Sequence, residues 1–179
     1  MVQSIPMKTL IIRYKGVLDL DGLYRIIVQW LKARRFWFHE STYKHKVPSP
    51  FGAEEEITFR AERKCNNYYK DDIVVYFHIW DQQDVEVIKE GKKQKLIKAK
   101  VEIRIQGTLG LDYQGRFEKT AFAQKLRNFM HKYIIKETIE NIWADELYYR
   151  TLKLQALIKD YIDMQTKSHE YAGYLGDTG

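Results

Sequence analysis

The sequence predicts an α+β protein: a curved, mostly antiparallel sheet packed on an N-terminal helix and a long C-terminal helix, in the order β-α-β-β-β-β-β-α. Three observations predict it. Apolar residues recur at helical spacing from about 21 to 35. They alternate with polar residues at period two through the middle of the chain, up to Tyr113. From Phe117 the period returns to 3.6, and neither Gly nor Pro interrupts residues 117–172. Strands clustered between helices indicate α+β architecture rather than alternating α/β units.

Residues 8–15, KTLIIRYK, form a first strand by their β-branched content. Leu23, Ile26, Ile27, Trp30 and Leu31 then mark one face of a helix over 21–35, with Asp19 or Asp21 as its N-cap. FWFHESTYKHK, within 36–47, suits a strand, and PSPFG at 48–52 a loop. In residues 55–64, Ile57, Phe59 and Ala61 lie on one side; Glu56, Thr58, Arg60 and Glu62 lie on the other. The EEE run at 54–56 reads as the solvated entry to that strand, and CNNYYKDD at 65–72 as a turn. IVVYFHIW at 73–80 is apolar on both faces, as a central strand is. VEVI and LIKAKVEIRIQ flank a hairpin loop, KEGKKQ.

One parity runs from Ile97 to Tyr113. A straight strand of that length would reach about 56 Å at about 3.3 Å per residue, too long for a compact chain of this size. Gly107 or Gly110 is therefore expected to mark a bend, a bulge or an end. In the C-terminal part, Phe122, Leu126, Phe129 and Tyr133 form one stripe, continued by Ile139, Ile142, Leu147, Leu154, Leu157 and Tyr161. This is one very long helix or two joined near 136–146. At the level of element order alone, the pattern resembles the helix-grip folds that hold lipids and hormones. One longer helix stands where those folds have a pair of short ones.

Length and composition predict one domain over 1–165 and a flexible tail over 166–179. A single cysteine, Cys65, excludes an internal disulfide and a Cys-based zinc finger. No 18-residue apolar run occurs, and MVQSIPMKTLIIRYKG lacks the apolar core of a signal peptide. A cytoplasmic location with no membrane span is the expectation. No phosphate-loop or dinucleotide fingerprint is present, so no cofactor is expected. His39 and His45 lie about 20 Å apart on an extended strand, too far to share an ion, so no metal is expected either.

Two binding readings remain. In the first, a non-catalytic module holds an apolar or amphipathic ligand between the sheet and the C-terminal helix. Its candidate residues are His39 and Tyr43, on one face of their strand, and Asp81 and Gln83, polar interruptions that keep the inward parity. In the second, the charge of +6 serves a nucleic acid. Six Lys/Arg stand against one Glu in 25–46, and seven against two in 89–104. Arg34, Arg35, Trp37, Lys44, Lys46, Lys98, Lys100 and Arg104 are its candidates, with Trp37 available to stack on a base. An enzyme would need Asp81, Asp84, Cys65 or a histidine to converge in one cleft. The apolar surplus of NIWADELYYRTLKLQALIKDYI (141–162) offers a contact for a second copy.

Overall fold

The computed structural model describes residues 3–49, 52–89, 92–115, 117, 120–130 and 139–164. The strands are β1 (Gln3–Pro6), β2 (Leu10–Leu18), β3 (Trp37–Ser49), β4 (Gly52–Lys64), β5 (Tyr69–Lys89) and β6 (Lys92–Leu111). The helices are α1 (Leu20–Ala33), α2 (Ala121–Phe129) and α3 (Asp145–Tyr161), the last entered through a π-helical turn, Ile139–Ala144. The architecture is the predicted one: α+β, with a curved antiparallel sheet and a long C-terminal helix.

The sheet is a meander from β3 to β6, and β1 and β2 together line the free edge of β6. Met7 N–H donates to the Gly107 carbonyl (2.8 Å) and carries this edge across the gap between β1 and β2. Since β2 and β3 lie on opposite edges, α1 crosses the inner face to join them. Asp19 starts α1 by accepting the Gly22 N–H on its side chain (2.9 Å), so Asp19 is the N-cap.

Burial follows the predicted parity. Ile57, Phe59 and Ala61 of β4, Ile73, Val75, Phe77 and Ile79 of β5, and Ala99, Val101, Ile103, Ile105, Leu109 and Leu111 of β6 fill the inner face. Leu23, Ile27 and Leu31 of α1 meet them, as do Leu147, Thr151, Leu154 and Ile158 of α3. The spacing of four, three and four in α3 is one helical face.

Several elements differ from expectation. Residues 73–88 belong to one strand, β5, rather than two, and β1 is an additional short strand. The PSPFG segment is shorter as a loop, because Ser49 pairs with Gly52. β6 runs through Gly107 and Gly110 in unbroken register with β5 and ends at Leu111. Gly107 instead permits close approach: a Cβ there would stand 3.1 Å from Thr151 Cγ2 and 3.3 Å from Met7 Cγ. The irregularity lies in β5, where pairing with β6 slips between Trp80 and Gln83 and pairing with β4 slips opposite Ala53–Glu55. Beyond Asp84 and Leu96 the two strands pair only with each other, as a two-stranded ribbon. The loop-tip residues 90–91, Tyr133, residues 136–138 of the 136–146 junction and the 166–179 tail lie outside the described residues.

A buried ion network ties the sheet to α3. Asp71, 2% exposed, accepts from Arg63 Nη2 (2.6 Å) and Nε (3.1 Å). The same guanidinium reaches Glu146 (3.3 Å), which also holds Arg150 one turn along α3. Burial pushes the Asp71 carboxyl up, against the pull of Arg63. Removing one partner of such a pair strands a buried charge. Asp71→Ala and Arg63→Ala are each expected to destabilise by about 3–5 kcal/mol. The double variant should cost clearly less than their sum, as measured by denaturant unfolding in a double-mutant cycle.

Candidate functional site

The inner face is filled beneath α3 and open near the N-terminal end of α1. Leu147, Leu154 and Ile158 of α3 are fully buried against the sheet. A cavity of about 600 Å³ lies instead between the start of α1 and the far end of β3–β6.

Each wall comes from a definable piece of local structure. From the α1 side come Asp19, Leu20, Asp21 and Tyr24. Tyr24 stands edge-on to Phe59, with ring centroids 4.9 Å apart. β3 supplies Glu40 and Tyr43. A register shift at Ser41 brings both to the inner face, since Glu40 pairs with Phe59 and Tyr43 with Ile57. β4 supplies Ile57 and Glu55, which continues the inward parity of Ile57 and Phe59. β5 supplies Gln82 and Asp84, and β6 supplies Lys95, Leu96 and Ile97.

Its polar groups form specific contacts. Glu55 is 7% exposed, and its Oε1 accepts from the Tyr43 hydroxyl (3.3 Å) and lies 2.9 Å from His45 Nδ1. The Tyr24 hydroxyl donates to Glu40 Oε2 (3.3 Å). Burial, and next the adjacent carboxylate, raise both tyrosine hydroxyls above their ordinary pKa. At the rim, Tyr161 at the end of α3 donates to Asp19 Oδ2 (3.1 Å). Gly22 makes that reach possible, since a Cβ there would fall 1.9 Å from the Tyr161 hydroxyl oxygen.

Of the four ligand-binding candidates from sequence, only Tyr43 lines this cavity. His39 pairs with Arg60 on the outer face, because the shift at Ser41 separates its parity from that of Tyr43. Gln83 pairs with the outward Lys98, and Asp81, at φ 53°, turns to Lys100 (Nζ–Oδ2 2.7 Å). The slip in β5 exchanges them for their neighbours Gln82 and Asp84. Glu55 was missed as part of a solvated strand entry. The signal that finds it is its parity with Ile57, Phe59 and Ala61.

Sheet parity groups the nucleic-acid candidates as well. Trp37, Lys44, Lys46, Lys98, Lys100 and Arg104 share the outer face. β3 and β6 are three strand spacings apart there, about 14 Å. Lys44 and Lys46 pair with Glu56 (3.7 and 3.9 Å), and Arg104 with Glu102 (2.6 Å), which also holds Arg13 (2.7 Å). Arg34 and Arg35 lie in the turn between α1 and β3, with the Arg34 guanidinium 4.1 Å from the Trp30 ring centre. A more open depression of about 590 Å³ on the outer side is bordered by Arg13, Lys15, Trp80, Asp81 and Lys100.

Two further groups bear on chemistry. Glu54, Glu56 and His78 form the one set among the described residues close enough to converge on a metal ion, with His78 Nε2 2.6 Å from Glu54 Oε1. The ammonium groups of Lys44 and Lys46 already offset Glu56 there, so the set functions as an outer-face ion network. Cys65 neighbours Arg63 and Asp71. Burial and then Asp71 push its thiol up to about 11, with Arg63 opposing. At neutral pH it is a protonated thiol rather than a nucleophile. Its alkylation by iodoacetamide at pH 7.5 is expected to be at least about fiftyfold slower than that of a cysteine peptide, rising with pH through 9.

No model of a known protein family matches the chain, and no curated protein matches it.

Proposed function

We propose that this protein is a non-catalytic binding module that takes an amphipathic small molecule into the cavity between α1 and the inner face of the sheet. One observation carries the reading: a half-open cleft of about 600 Å³ whose floor reaches the buried Glu55 and Ile57. That volume lies in the range of small-molecule sites. Leu20, Ile57, Leu96 and Ile97 offer apolar contact, and the polar groups around them orient a ligand with a polar end. Ile97 pairs with Asp84 on the inner face, is part of the lining and is only partly buried, so it is the place to fill the space. Nile red, a neutral dye whose fluorescence rises in apolar sites, is expected to bind saturably at one site per chain. Ile97→Trp should reduce its affinity at least about tenfold while shifting Tm by no more than a few degrees. Absence of saturable binding, or unchanged binding by the variant, would falsify the reading.

A second reading is supported by the shared outer face of Lys44, Lys46, Lys98, Lys100 and Arg104, with Trp80 beside Lys100 and Trp37 at the far end of the same face. It takes single-stranded nucleic acid as the ligand. Their ion pairs with acids of the same face lower the charge available to phosphate, which makes this the weaker of the two. An oligo(dT) strand should then bind with a steep salt dependence. Lys98→Gln with Lys100→Gln should flatten the log–log salt slope by about 1.4. No binding at 50 mM salt defeats the second reading.

A further inference from the structure

The cavity is negatively charged in a positively charged protein. Five carboxylates line it, those of Asp19, Asp21, Glu40, Glu55 and Asp84, against the single lysine Lys95. The chain as a whole carries +6. Elsewhere the acids of this protein meet cations: Asp71 meets Arg63, Glu102 meets Arg13 and Arg104, and Glu56 meets Lys44 and Lys46. Among the described residues, none of the five cavity carboxylates pairs with a lysine or arginine. Asp19, Glu40 and Glu55 meet tyrosine hydroxyls, the His45 ring and a helix N-terminus instead.

Two acceptor atoms remain open. Both contacts of the buried Glu55 go to Oε1, so Oε2 accepts nothing from the described residues. Gln82 Oε1 is buried with no hydrogen-bond partner among them. Of the two, the Gln82 oxygen is shut away from solvent; a buried acceptor left unmatched is costly, and an N–H of a ligand meets that need.

We infer that the ligand of this cavity is an organic cation, an amine or guanidine on an apolar or aromatic body. This rests on the binding reading proposed above. Spacing separates this class from a metal ion. No three of the cavity carboxylates bring oxygens within 4.8 Å of one another, so they do not form a cage for a small ion. Spread around a 600 Å³ space, they instead surround a molecule. Tyr24 and Tyr43 add ring faces that favour a cation over a neutral group. An anionic ligand such as a fatty acid meets the same field as repulsion.

The test uses three fluorescent probes of one shape: dansylcadaverine, a primary ammonium; its N-acetyl derivative, which is neutral; and dansyl-aminohexanoate, an anion. Binding is followed by fluorescence titration of the full chain at low salt. The cation should bind at least about tenfold tighter than the acetyl derivative, with the anion weakest. Glu55→Gln and Asp84→Asn should each weaken the cation at least about threefold and leave the neutral probe unchanged. Asp84 is exposed, so its variant tests charge even if the Glu55 variant folds poorly. Equal affinity for the three probes, or no cation binding while Nile red still binds, overturns the charge preference alone. Failure of all three probes and of Nile red overturns the cavity reading with it. A preference that persists in Ile97→Trp overturns the assignment to this cavity.

Discussion

The pairing of β5 with its neighbours is the constraint on which the rest of the structure depends. β5 is central, hydrogen-bonded to β4 on one side and β6 on the other, and its odd-numbered residues from Ile73 to Ile79 are fully buried. Such a strand has no freedom to shift as a whole, because a one-residue slip would turn every core side chain outward. The slip at Trp80–Gln83 occurs just past this run, where the strand leaves the zone covered by α1 and α3. Gly52 accommodates it: at φ 140° its bare Cα packs against the Asp81 backbone, where a Cβ would come within 2.7 Å. Extra residues in β5 increase local twist and carry the outer strand ends around the start of α1. The cavity is the space that this change of direction leaves.

Much of the fold was legible because periodicity is a direct print of burial. The inward parity of β4 and β6, the change of period near Phe117 and the N-cap at Asp19 follow from alternation, helical spacing and local side-chain chemistry, all visible in one chain. The site was legible only in part, and the reason is the same in β3 and β5. An irregularity in pairing reverses parity downstream of itself, and nothing in the composition around Ser41 or Gln82 announces it. His39, Asp81 and Gln83 therefore lie on the outer face, while Tyr43 lies on the inner one. Glu55 was different. Its parity was available, but charge outweighed pattern in the reading of EEE. A glutamate at an apolar parity position is itself a sign of a polar partner inside, and here Tyr43 and His45 are those partners.

The two faces of the sheet handle charge in opposite ways. On the outer face, lysines and arginines alternate with carboxylates across strands and settle into exposed pairs, each worth little to stability. That arrangement suits a solvated surface and protects a long edge from pairing with another sheet. On the inner face near α1, carboxylates outnumber the single Lys95, and hydroxyls and an imidazole are the partners of Glu40 and Glu55. The C-terminal apolar stripe also divides. Leu147, Leu154 and Ile158 face the sheet, while Phe122, Leu126 and Phe129 of α2 are exposed. α2 is held to the end of the sheet through Arg127 and the buried Asp112 (4.0 Å).

Asp19 ties the two ends of the described chain together. Its carboxylate begins the first helix with one oxygen and receives a hydroxyl from the last turn of the final helix with the other. The mouth of the cavity is thus latched by residues 142 positions apart in sequence. During synthesis, the sheet and α1 have all their residues long before Tyr161 leaves the ribosome. The carboxylate at this rim therefore takes its second partner only once the last helix has docked.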